Sequence, residues 1–184
     1  MNLPNLITIA RILLVPFTVW LIISDAYGFA FLAFVAAGVS DGVDGYIARR
    51  YNLRTELGSY LDPVADKALL VSVFVTLGLL KMLPPWLIIL VVSRDVLIVG
   101  AFILSWLMDR PLKAKPSMLS KINTTGQIVL VVVVLGAASF QLALGLWLIA
   151  GMAVVAVLTT ASGAHYLLEW VRHMANGHSG NDVK

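Results

Sequence analysis

The chain has 184 residues, of which 60% are hydrophobic and only 12% charged, and its mean hydropathy is +0.92. Soluble domains carry about 25% charged residues, so the composition excludes an ordinary water-soluble fold and points to an all-α, polytopic membrane protein. A net charge of +3 does not imply nucleic acid, because the basic residues cluster in short loops between apolar runs, and with no cysteine there is no disulfide or thiol chemistry.

The N-terminal stretch MNLPNLITIAR opens on Pro4 and Asn5 and has the spacing of a short interfacial helix that bends into a first span over about Leu6–Ser24. It lacks a small-x-small cleavage site, so this apolar run is expected to be retained rather than removed as a signal peptide. A turn at Asp25–Gly28 leads to a second span, about Phe29–Arg49, whose last turns hold Asp41 and Asp44. The polar loop RRYNLRTELG follows, and a third span begins near Thr55 or Gly58 and reaches Leu80, with Asp62, Pro63 and Asp66 expected in its first turns. Lys81–Pro85 turns the chain into a fourth span ending near Leu107 and interrupted by Arg94 and Asp95. The basic loop DRPLKAKPSMLSK precedes span five, about Ile122–Ala138. A turn at Ser139–Gln141 precedes span six, Leu142 to about Trp170. Residues 1–172 thus read as one six-helix domain, and 173–184 as a flexible tail.

Charge sets the orientation. Arg49, Arg50, Arg54, Arg110, Lys113, Lys115 and Arg172 fall on one side, while the opposite loops hold only Lys81. The basic side is therefore expected to be cytoplasmic, with the four aspartates, both termini and the active site on that face of the cell's inner membrane. Trp86, Trp106, Trp147 and Trp170 fall near span ends, as interfacial tryptophans do, and Trp20 fits that pattern less well. His165 reads as a hydrogen-bonded core residue.

Asp41 and Asp44 are three apart, and Asp62 and Asp66 four apart, so each pair shares one face of its helix. Carboxylates in such apolar flanks are costly unless neutralised. One could cap a helix and pair with a loop arginine, but four in two paired spacings point to a shared cation site. An all-oxygen set suits Mg²⁺ or Mn²⁺ rather than zinc, and two ions could clamp a pyrophosphate. Gly42, Gly45 and Gly58 lower helix propensity in the same stretch, which suits close approach by a bulky group such as a nucleotide, and Arg49 lies near enough to meet phosphate oxygens. A transporter with an intramembrane ion site is the other class considered. It is disfavoured because the carboxylates lie at one rim and no inverted broken helix appears.

The stretch Asp41-x2-Asp44-Gly45-x2-Ala48-Arg49-x8-Gly58-x3-Asp62-x3-Asp66 resembles the full signature of the CDP-alcohol phosphatidyltransferases. The resemblance implies their six-helix fold, Asp41, Asp44, Asp62 and Asp66 as metal ligands, and Asp66 as the base on the acceptor hydroxyl. It further implies a CDP-lipid pocket containing Asn5, Thr8, Gly42, Gly45, Ala48, Arg49 and Gly58, displacement of CMP from CDP-diacylglycerol, and a homodimer. PNLITIARILLVP and SYLDPVADK are similar to both phosphatidylglycerophosphate synthases and CMP-forming cardiolipin synthases. Ser93-Arg94-Asp95, the loop around Lys115–Thr124, and Thr159–Ser162 with Tyr166 resemble the latter more. The expected acceptor is then phosphatidylglycerol, with glycerol-3-phosphate as the alternative. Arg94, Lys121 and Lys67 are the candidate contacts for its phosphate. Asp95 is expected to pair with Arg94 only obliquely, since neighbouring helix positions diverge by about 100°.

Overall fold

The computed structural model describes the backbone of residues 3–50, 56–107 and 117–176, and side chains within 12–40, 67–101, 104–105, 107 and 117–172. The described residues form six α-helices and no strand: α1 (Leu3–Ile23), α2 (Tyr27–Arg50), α3 (Glu56–Leu79), α4 (Pro85–Leu107), α5 (Met118–Ser139) and α6 (Leu146–Asn176). α1 runs unbroken from Leu3 through Pro16, and α6 continues past Arg172 into the segment expected to be tail. Two helical stretches, Met118–Ser139 and Leu146–Arg172, are long and apolar enough among the described residues to cross a membrane. Large apolar side chains such as Phe29, Leu79, Leu146 and Trp147 stand exposed around the bundle. In water such a surface would aggregate, whereas lipid solvates it at no cost.

Each helix packs against two neighbours that close a ring: α1, α2, α5, α6, α4, α3 and back to α1. An α3–α5 contact crosses the middle and divides the ring into two groups of four helices. In the first group (α1, α2, α5, α3) apolar stripes meet. Ala30, Phe34 and Ala37 recur at helical spacing on α2, as do Leu70, Val73, Phe74 and Leu77 on α3, and all are buried. On α5 a single stripe changes character with depth, Asn123 and Gln127 giving way to Leu130, Val131, Val134 and Leu135.

The three tight turns share one construction. After α1, α3 and α5 the chain places Asp25, Lys81 and Gln141 in the left-handed region, at φ 57°, 59° and 53°. The amides around them close the same pair of bonds each time. Asp25 N donates to Ile22 O and Ala26 N to Leu21 O; Lys81 and Met82 do likewise to Gly78 and Leu77, and Gln141 and Leu142 to Ala138 and Ala137. These are three Schellman ends, each satisfying helix carbonyls that would otherwise face the apolar phase unpaired. Asp25 also accepts a 2.6 Å hydrogen bond from Tyr27 Oη, which holds the phenol's pKa above its usual value because only the neutral form donates.

Two boundaries differ from expectation. α5 starts earlier, at Met118, because Ser117 caps it by accepting from the Ser120 amide. α6 starts later, at Leu146, because the Schellman end at Gln141 and Gly145 at φ 48° hold Leu142–Leu144 in a turn despite their apolar side chains. Trp20 falls in the last turn of α1, its carbonyl accepting from Ser24 N. His165 is not a core residue. It is half-exposed, 3.7 Å from Glu169 on the same helix.

None of the three left-handed residues is glycine, and a β-carbon in that conformation costs about 1–2 kcal/mol. Gln141→Gly is therefore expected to raise stability by roughly 1 kcal/mol. Thermal unfolding of the detergent-solubilised protein would check this, and an unchanged or lower midpoint would contradict it.

Candidate functional site

The candidate site gathers at the end of the bundle opposite the three Schellman turns. Asp41 and Asp44 lie near the end of α2, and Asp62 and Asp66 near the start of α3. Asp44 and Asp62 each stand six residues from the nearer ends of their own helices, Arg50 and Glu56, and Asp41 and Asp66 stand nine and ten residues in. At 1.5 Å per residue the pairs match in depth, at about 9 Å and about 14 Å. α3 begins at Glu56, within the expected range, so Asp62 and Pro63 fall in its second turn and Asp66 in its third. The side chains of these four aspartates lie outside the described residues. So do those of Asn5, Thr8, Gly42, Gly45, Ala48, Arg49 and Gly58.

The described chemistry lies in the second group of four helices, α3, α4, α6 and α5. Asp95 on α4 accepts from Arg94 Nη1 at 2.8 Å, and both of its oxygens accept from Lys67 Nζ of α3 at 2.8 Å. Arg94 Nη2 donates to Ser120 Oγ of α5 at 2.7 Å and to Ser162 Oγ of α6 at 2.6 Å. One buried network thus ties four helices together.

The oblique pairing expected of Arg94 and Asp95 is corrected by this geometry. Divergence of about 100° applies to Cβ directions, but the arginine arm is long enough to fold its guanidinium back onto the next residue. Among the described residues, two cations share this one carboxylate. Arg94 Nε has no partner among the described residues. A buried pair of this kind repays its desolvation only when nearly every donor is satisfied, and the two serines supply what Asp95 cannot.

The polar face continues inward along the α5–α6 seam. Thr159 Oγ1 donates to Asn123 Oδ1 at 2.8 Å, and Gln127 Nε2 approaches Thr159 Oγ1 at 3.4 Å. Asn123 Nδ2 and Gln127 Oε1 are fully buried without partners among the described residues. Of the three expected phosphate contacts, the structure brings Lys67 and Arg94 together on Asp95 and leaves Lys121 apart and exposed at the start of α5. Ser120 and Asp95 were not singled out as functional. The available signal was their position, since Ser120 and Asn123 share a face at three-residue spacing.

A family model for CDP-alcohol phosphatidyltransferase matches residues 1–162, a span that includes the aspartate motif and the whole Lys67–Ser162 network. The chain belongs to the CDP-alcohol phosphatidyltransferase family. Enzymes of this family generally depend on a divalent metal. Four carboxylates at matched depths are hard oxygen donors of the type such an ion takes.

Three relatives illustrate the range. A probable CMP-forming cardiolipin synthase of Drosophila melanogaster is 37% identical over 187 residues, covering 89% of this chain and 56% of its own. The CMP-forming cardiolipin synthase of Homo sapiens is 33% identical over 181 residues, covering 90% and 60%. A chloroplastic CDP-diacylglycerol–glycerol-3-phosphate 3-phosphatidyltransferase of Oryza sativa is 36% identical over 148 residues, covering 71% and 45%. The chain spans about half the length of these relatives.

Asp95→Ala would leave two cations inside the bundle with no carboxylate, and is expected to cost about 3–5 kcal/mol. Ser162→Ala removes one hydroxyl from a donor still held by Ser120, and is expected to cost about 1 kcal/mol. Chemical denaturation in mixed micelles tests the ranking, and equal losses would contradict it.

Proposed function

We propose that the protein transfers a phosphatidyl group from CDP-diacylglycerol to a hydroxyl of phosphatidylglycerol, giving cardiolipin and CMP. The observation that carries the acceptor choice is coverage. The two cardiolipin synthases align over 89% and 90% of the chain, against 71% for the glycerol-3-phosphate enzyme. A glycerol-3-phosphate acceptor is the second reading, favoured by that enzyme's nearly equal identity of 36%.

In this reading all six helices cross the inner membrane, and the active site faces the cytoplasm on the arginine- and lysine-rich side. The active unit is a homodimer. Asp41, Asp44, Asp62 and Asp66 hold two ions, Mg²⁺ or Mn²⁺, which when bound neutralise the diphosphate and polarise its phosphorus. Gly42, Gly45 and Ala48 line the cytidine pocket with Asn5, Thr8 and Gly58 around the CDP-lipid, and Arg49 holds the diphosphate. Asp66 takes the proton of the acceptor hydroxyl as its oxygen attacks the phosphatidyl phosphorus. The bond to CMP breaks, and CMP leaves with the electron pair. Lys67, Arg94 and Lys121 supply positive charge for the acceptor phosphate, supported by the meeting of Lys67 and Arg94 at Asp95.

CMP release from CDP-diacylglycerol is expected only with Mg²⁺ or Mn²⁺ and an acceptor present, and chelation should abolish it. Absence of release under every such condition sinks the enzyme reading. Asp66→Asn is expected to lower turnover by about a thousandfold or more while leaving CDP-lipid binding within a fewfold. Equal loss of binding would make Asp66 chiefly a ligand. Paired assays with phosphatidylglycerol and glycerol-3-phosphate, with identification of the lipid product, decide the acceptor.

A further inference from the structure

Lys67 belongs to two environments at once. On one side it meets Asp95 in the polar group of helices. On the other it lines an apolar cleft of about 120 Å³ in the first group, with Phe34 and Gly38 of α2, Leu70 of α3, and Thr124 and Ile128 of α5. Counted along α2 and α3, this cleft begins at the depth of Asp41 and Asp66 and extends away from the helix ends, further into the apolar phase. It is lined almost entirely by hydrocarbon, with one cation at its shallow rim.

The two cations of the cluster are not equivalent. Arg94 is 5% exposed and both hydrogens of its Nη2 are taken by serines, whereas the Lys67 side chain is 37% exposed. Serines from two helices hold Arg94, Arg94 braces Asp95, and Asp95 grips Lys67 through both oxygens. The direction of that chain is outward, toward the cleft.

We propose that Lys67 and the adjoining cleft form a single subsite for an anionic phospholipid, the ammonium meeting its phosphate and the cleft taking the first part of one acyl chain. Asp95 is a positioning residue that aims Lys67, with Arg94 bracing it from the far side. The occupant follows from complementarity. A soluble phosphate ester would use the cation and leave the hydrocarbon wall unused, while a neutral lipid would use the wall and leave the cation unpaired. A lipid acceptor uses both. The inference rests on the phosphatidylglycerol reading above and assigns that acceptor its place.

Gly38 provides the test, because it lines the cleft and a β-carbon there meets nothing within 4 Å, which leaves open space for a larger side chain at the cleft wall. The full-length protein in mixed micelles is assayed with CDP-diacylglycerol and either dioleoyl- or dihexanoyl-phosphatidylglycerol. Gly38→Leu is expected to raise the KM for the long-chain acceptor relative to the short-chain one by about fivefold or more, the loss of a few buried methylenes. Lys67→Gln is expected to raise the KM for both acceptors by about tenfold, as for one charged hydrogen bond. Asp95→Asn should follow Lys67→Gln in acceptor KM, leave the KM for CDP-diacylglycerol within about twofold, and be partly rescued by Asp95→Glu; a merely structural Asp95 would instead lower kcat with every substrate. Turnover of phosphatidylglycerol with an unchanged long-to-short ratio in Gly38→Leu overturns the subsite alone. Turnover of glycerol-3-phosphate but not of phosphatidylglycerol overturns the acceptor reading beneath it.

Discussion

One carboxylate shared between two cations sets the arrangement of half the bundle. Asp95 draws Lys67 from α3 toward α4, and Arg94, anchored on the same carboxylate, reaches the serines of α5 and α6. Each ion by itself would be costly at that depth, and the penalty falls only when all donors converge. Convergence fixes the relative heights of four helices more tightly than apolar packing, which tolerates sliding. Register between α3 and α4 therefore carries directly to Lys67, the neighbour of Asp66.

The two ends of the bundle are built for different work. At one end, three Schellman turns close the helix pairs α1–α2, α3–α4 and α5–α6 in the same way, with backbone groups internally satisfied. Apolar stripes on α2, α3 and α5 join below them into a continuous core. At the other end the stripes change to Asn, Gln, Thr, Ser and charge. Such an interior is tolerable only where hydrogen bonds or a polar ligand satisfy it. The incompletely satisfied amides of Asn123 and Gln127 lie at the inner limit of that polar zone, where the balance between the two regimes is closest.

Much of this was legible in the sequence. Six helices and their turns follow from hydropathy, because apolar runs of near-membrane length alternate with short polar or basic connections. The aspartate motif was equally visible, since spacings of three and four are helical spacings. Boundaries were less so where backbone conformation overrode composition. Leu142–Leu144 are apolar yet form a turn. The direct pairing of Arg94 with Asp95 is not legible from spacing, because the reach of the arginine depends on rotamer rather than on helix angle.

The sequence by itself determined the helix count, the depth of each ionisable residue along its helix and the family to which the motif belongs. These are properties of local periodicity and of fixed spacing within one segment. Only the tertiary structure decided the ring order of the helices, the division into an apolar and a polar group, and which cation is locked away and which is presented. Those depend on contacts between segments far apart in the chain. Lys67, Arg94, Ser120 and Ser162 carry no pattern that links them until packing brings four helices around one carboxylate.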